Sequence, residues 1–392
     1  MPATMTTEEN HQDTMECNSE VVFQDMEEDE VDRAPGPYTH YEVSCPTVGT
    51  LNVYVQGTRS PTEVVVLTVH DLGCNYTQYQ KLINHDRMQG IRNKTVWVHV
   101  SVPGQEPDAP DLPAGYVFPK MQILAEELIH VLDKLNLKEV VCFGEGAGAN
   151  ILARFAAKHI DRVLGVVLIH CTGTTAGFME AVRDKVIGWK LDNIGMNPTA
   201  EAYLVLHRFG ANLQEFASAQ NREQLAEVIE HFQSSLRSHT NPKNLKKFVE
   251  AFLKRTNISD NIGKITCPVL MLTGQKASFN NTTHALYTTL VKQCKDKAKV
   301  EFVQVAGVAN VLEEKPEKLI ESLQYFMQGL GLVSSLPMHN VGRPLRVRTL
   351  SMEEYDQPRL RRESSGSGGG GPHSPISSSP PTGGVPLQPV NN

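Results

Sequence analysis

The stretch Val140-Val141-Cys142-Phe143-Gly144-Glu145-Gly146-Ala147-Gly148-Ala149-Asn150 joins four apolar residues to three glycines spaced two apart. It continues as a helical pattern to Lys158, with Ile151, Leu152 and Phe155 on one stripe. Small residues at alternate positions permit a backbone turn too sharp for larger side chains. The expected structure is a strand, a tight turn and a helix in immediate succession. A phosphate cradle is the other reading of such a turn. No Lys-Ser/Thr pair follows, and the dinucleotide fingerprint is matched only loosely and on the fifth strand rather than the first.

Outward from this turn, mostly apolar runs recur at Val64–Val69, Val96–Val100, Val163–Ile169, Val269–Leu272 and Val300–Val305. Their length and Val/Ile content suit strands buried on both faces. Helical patterns over Met121–Leu135, Ala147–Lys158 and Pro316–Gln328 alternate with them. That alternation predicts a mostly parallel central sheet flanked by helices. Two shorter segments, Tyr41–Cys45 and Leu51–Val55, predict an antiparallel hairpin at one edge. From about 172 to 260 no strand run occurs. Asn197-Pro198 and Asn241-Pro242 mark helix starts, and Leu225, Val228, Ile229, Phe232 and Leu236 form an apolar stripe. This is a helical cap inserted over the sheet edge where α/β proteins bind ligands. The combination predicts an α/β-hydrolase fold.

The chemistry of that fold is missing from its expected places. The turn has the spacing of a G-x-S-x-G nucleophile elbow, yet the nucleophile position is Gly146, which has no side chain to attack with. The turn expected to carry the acid, Thr273-Gly274-Gln275-Lys276-Ala277-Ser278, has Ala277 there. The loop expected to carry the base, Ala306–Pro316, places Val308 or Ala309 at the histidine position, depending on a one-residue offset. Three inert positions together argue against triad catalysis. The oxyanion turn survives in part as His70-Asp71-Leu72-Gly73. His70 is read as a structural histidine of that turn. Asp71 and Glu145 are expected to share one cleft, where turn capping is the simple reading and acid–base work the other. Ser278 completes the candidate cleft residues His70, Asp71, Gly73 and Glu145. The fourteen histidines contain no HExxH-type pair, so no metal and no cofactor are expected.

Charge divides the chain. Its net value is −7, yet residues 1–33 hold eleven acids and one base, and residues 340–392 hold six arginines and four acids. The body between them is close to neutral, which excludes a basic nucleic-acid surface. Residues 1–35 are expected to be a disordered acidic tail, 36–335 the folded domain, and 336–392 a disordered tail. That last tail is rich in Arg and Ser and then in Gly, Ser and Pro. No apolar run approaches a membrane span, so no integral membrane segment is expected, while peripheral membrane association stays open. No signal peptide is read at the N-terminus, and Pro2 excludes myristoylation there. Seven scattered cysteines without a CxxC pair suit a reducing, cytoplasmic compartment.

The sequence resembles the N-myc downstream-regulated gene (NDRG) family. The resemblance rests on His70-Asp71-Leu72-Gly73-Cys74-Asn75, Val102-Pro103-Gly104-Gln105-Glu106, the elbow Gly144–Asn150 and Phe326-Met327-Gln328-Gly329, in order across about 38–330. It implies a hydrolase-like fold without hydrolase activity. It further implies a cytoplasmic protein of signalling, differentiation, growth control and stress response that acts through protein partners. In the C-terminal tail, Arg346 and Arg348 stand five and three residues before Ser351, a spacing that suits a basophilic kinase. Ser351, Thr349 and Ser364 are the expected phosphorylation sites. Hydrolysis at a relocated site and small-molecule sensing in the capped cleft are the competing functional readings.

Overall fold

The structure is a computed structural model and describes residues 38–57, 63–174, 196, 198–210 and 219–337. Eight strands form one sheet: β1 (Tyr38–Cys45), β2 (Gly49–Gln56), β3 (Val64–Val69), β4 (Thr95–Val100), β5 (Val140–Glu145), β6 (Val163–Ile169), β7 (Val269–Gly274) and β8 (Val300–Val305). Their spatial order is β1-β2-β4-β3-β5-β6-β7-β8. β1 pairs antiparallel with β2, and β2 antiparallel with β4; the remaining pairs are parallel. The antiparallel edge hairpin and the parallel remainder match the expectation from the strand runs.

Every residue of β4 and β5 is buried, including the polar Thr95, His99 and Glu145 among otherwise mostly apolar neighbours. Alternate residues feed two cores. Val140 and Cys142 face one side, where Leu128 and Leu132 of α3 (Met121–Lys134) and Leu152 and Phe155 of α4 (Gly146–Lys158) pack. Val141 and Phe143 face the other, with Tyr79 and residues of two short helices, α1 (Gln80–Ile83) and α2 (Gln89–Arg92).

The insertion between β6 and β7 contains α5 (Pro198–Phe209), α6 (Ala219–Ser238) and α7 (Pro242–Leu253). Asn241 caps α7 by accepting from the backbone N–H of Lys243 and Asn244. Three further helices follow: α8 (Asn280–Gln293), α9 (Val311–Glu314) and α10 (Pro316–Gly329). α10 lays Leu319, Ile320, Leu323 and Met327 on the Phe143 side of the sheet. No apolar periodicity predicts α8, which buries only Thr283, Leu286 and Leu290. So thin a stripe carries little periodic signal.

Strand order reverses at β3, which lies between β4 and β5. The carboxyl ends of β3 and β5 therefore open a crevice at the topological switch point. The cap covers this end. At Gly73 an added Cβ would press on Leu204, Phe232 and Leu236 of the cap, so the turn after β3 and the cap are in close contact.

Candidate functional site

β5 ends at Glu145, and Gly146 opens α4 with a positive φ of 52°. The elbow geometry is thus present, with glycine at the nucleophile position. Gly148 allows the helix to approach β3 so closely that an added Cβ would run into the backbone of Val69 and His70. Tyr79 ties the two strand ends together: its hydroxyl donates to Val69 O (2.9 Å) and accepts from the Glu145 N–H (3.0 Å).

The carboxylate of Asp71 lies where a side chain on Gly146 would have to be, since a Cβ built there collides with all three carboxyl atoms. Its Oδ1 accepts from the backbone N–H of Ala147 at 2.7 Å. In hydrolases the N–H that follows the nucleophile is an oxyanion-hole donor. Here a resident carboxylate occupies it. His207, near the end of α5, places Nε2 3.0 Å from both Asp71 oxygens. Burial pushes the Asp71 carboxyl upward, but His207 and the bonds from Ala147 and Leu72 outweigh it, and the group stays below its ordinary range.

His70 turns out to be a bracket of the turn. Its Nδ1 donates to Asp71 O at 2.9 Å, and its Nε2 accepts from the Val102 N–H at 3.0 Å. Both nitrogens are engaged in the neutral ring, and burial lowers its pKa to about 4.

A second network adjoins the first. Glu145 accepts from Gln78 Nε2 (2.5 Å) and Asn310 Nδ2 (2.7 Å), and Arg208 Nη1 lies 3.7 Å from its Oε2. Arg208 also donates to Glu313 Oε1 at 2.7 Å, and Asn310 Nδ2 donates to Arg208 O. Burial is the main cause that raises Glu145 to about 7, against the pull of Arg208. Burial also tends to raise Glu313, but Arg208 and Lys81 hold it below its ordinary range. His170, at a positive φ of 50°, accepts from the Val311 N–H at 3.2 Å. Its pKa falls to about 4 through burial.

Asp71, Glu145, Gly146, Ala277 and Ser278 line one cavity together with His170, His207, Arg208, Phe279 and Thr283. Its volume is about 10 Å³, roughly room for one water molecule. Ser278 Oγ donates to Leu206 O at 2.8 Å. Val308 and Ala309 do not line the cavity; the loop residue that reaches the elbow is Asn310. Gly73 faces the cap instead. Ser351, Thr349 and Ser364 lie outside the described residues. His207, Arg208, Asn310, His170 and Gln78 were not singled out from the sequence. The only local hint was His207-Arg208, two polar residues directly after the run Tyr203–Leu206 in α5.

A family model described as the Ndr family matches residues 41–334. The chain belongs to the Ndr family. The uncharacterized protein ZK1073.1 of Caenorhabditis elegans is 39% identical over 321 residues, covering 81% of this chain and 92% of its own. Protein NDRG2 of Homo sapiens is 30% identical, with 80% of each chain covered. Protein NDRG1 of Xenopus tropicalis is 30% identical, with 77% of this chain and 73% of its own covered. Solved structures of hydrolases share the Ndr fold. An esterase from Thermogutta terrifontis superposes with a TM-score of 0.57 at 16% identity, covering 74% of this chain and 98% of that one. An enol-lactonase from Burkholderia xenovorans gives 0.56 at 15% identity, covering 74% and 100%. This establishes the α/β-hydrolase fold for the Ndr chain. Among the described residues no cluster of three or more His, Cys, Asp or Glu is placed to hold a metal, and no helix is long and apolar enough to cross a membrane.

Proposed function

We propose that this Ndr-family protein is a non-enzymatic cytoplasmic signalling or adaptor protein whose former catalytic site serves as a structural lock. The observation that carries this reading is the Asp71 carboxylate, which fills the nucleophile's place and uses the Ala147 N–H. His207 and Arg208 then bind the cap to this filled site, which leaves no room for an ester. Growth control, differentiation and stress response are the processes that family membership suggests. Protein partners would act on the outer surface. The tails would carry regulation, with a basophilic kinase phosphorylating Ser351 and, secondarily, Thr349 and Ser364.

A hydrolase with Asp71 as nucleophile and His207 as base is the second reading, favoured by the position of the carboxylate at the elbow. Both Asp71 oxygens, however, face His207 Nε2, and Oδ1 is also held by Ala147. A panel of p-nitrophenyl acyl esters tests the two. The expected result is no turnover above buffer. Turnover that disappears in Asp71→Ala would overturn the non-enzymatic reading.

A further inference from the structure

Beneath the cap, Arg154 of α4 and Arg255 just after α7 are both buried, with 6% and 8% of their surface exposed. Among the described residues neither has a carboxylate partner. Arg154 donates only to neutral groups: Asn150 Oδ1, Gln122 Oε1, Thr256 Oγ1 and Thr256 O. Arg255 donates to Phe252 O, Thr172 Oγ1 and Thr174 O, and its Nε has no partner. The two are linked, since Asn150 also donates to Thr172 O. Buried charges are ordinarily paired, because desolvating an unpaired one is strongly unfavourable. Two together without a counter-ion are a marked exception.

Other unsatisfied groups lie beside them. The Arg255 guanidinium sits 3.8 Å over the Phe252 ring, and the His207 ring meets the same ring at 5.5 Å. Tyr203 lies 6.1 Å from His207. The Tyr203 hydroxyl, His207 Nδ1 and Arg255 Nε are all buried without a hydrogen-bond partner. Burial lowers both arginines to about 10 and raises the neighbouring Cys171 thiol to about 12. The nearby acid that acts on Arg255 is Asp71, which His207 and Ala147 already hold.

We propose that Arg255, Tyr203 and His207, supported by Arg154, bind the oxyanion head of a small molecule, a carboxylate or a phosphate, beneath the cap. A guanidinium and a phenol supply donors of the geometry such a head accepts. The anion neutralises the two buried cations and satisfies the open hydrogen-bonding groups. This site requires no reaction, so it stands or falls independently of the ester panel.

The test is thermal unfolding of the full-length protein titrated with sodium phosphate, sodium acetate or, at matched ionic strength, sodium chloride. A ligand bound only by the folded state raises Tm saturably. Phosphate or acetate is expected to do so where chloride does not, and the lower half-saturation identifies the head group. Tyr203→Phe should raise that half-saturation several-fold and leave the unliganded Tm unchanged or higher, because it removes a buried hydroxyl without a partner. Arg255→Gln should abolish the saturable rise; if that variant does not fold, Tyr203→Phe decides alone. A rise no larger than chloride's overturns the proposal. So does wild-type half-saturation in Tyr203→Phe, or a lowered unliganded Tm in that variant.

Discussion

A serine at position 146 meets two obstacles. Its backbone must adopt the left-handed conformation that glycine holds there, and its Cβ must displace the Asp71 carboxylate. Each effect costs on the order of 1–2 kcal/mol. Gly146→Ser is therefore expected to lower stability by about 2–4 kcal/mol in urea unfolding and to gain no esterase activity. Asp71→Gly combined with Gly146→Ser removes the collision, so the double variant should lose less than the sum of the two singles. Strict additivity would show that the two side chains do not compete for one space. The absence of a nucleophile was legible in the residue types alone. That Asp71, 76 positions before the Ala147 whose N–H it takes, occupies the vacant place was not, because no local pattern records it.

At the scale of elements, α5 is the link between cap and sheet. His207 and Arg208 are consecutive residues of one helix, yet each joins a different carboxylate network at the crevice. Removing the hydrogen-bond partner of a buried carboxylate leaves that carboxylate desolvated and uncompensated, which costs about 1–3 kcal/mol or more. His207→Ala should lower stability by a loss of that order and speed hydrogen exchange of the α5 amides more than those of β5. Arg237→Ala serves as the contrast. In its bridge to the buried Glu201 the arginine side chain is 59% exposed, and Gln233 also donates to that carboxylate and remains in the variant. Solvent screens such pairs, so exchange in α5 should be unchanged there. Equal acceleration by both variants would mean that the His207 contact does not secure the helix. The cap's existence and two of its helix starts could be read from Asn-Pro signals and apolar stripes. Which of its polar residues face inward depends on how the cap is set against the sheet.

For the molecule as a whole, buried titratable groups set the response to acid. His70, His99 and His170 are lowered from the ordinary 6.5 to about 4, 3 and 4, with burial the main cause in each. All three stay neutral when folded and take up protons on unfolding below pH 6.5. Stability is thus lost as pH falls from 6.5 toward 4. Glu145 works in the opposite direction. Its raised pKa of about 7 means the folded state holds a proton that the unfolded state releases, so its contribution is lost as pH rises from 4.5 to 7. Between pH 4.5 and 6.5 three histidines outweigh one glutamate. The urea midpoint should fall on going from pH 6.5 to 5, by an amount equivalent to about 1.4 kcal/mol per pH unit for each net proton taken up. Glu145→Gln removes the opposing contribution and should steepen that fall. A flat profile in the wild type would show that these histidines are not held neutral.

Local sequence specifies the parallel strands, the edge hairpin, the helical insertion and an elbow whose nucleophile position is glycine. Each is written in local periodicity, turn chemistry or residue type, and neighbouring residues suffice to specify it. Contacts between distant segments place the remaining groups at the elbow. Asp71 fills the elbow, His207 and Arg208 descend from the cap, Asn310 rather than Val308 or Ala309 is the loop residue that reaches Glu145, and Arg154 and Arg255 come together without a counter-ion. Those contacts join positions tens to more than a hundred residues apart, and chain folding, not local preference, brings them within hydrogen-bond reach.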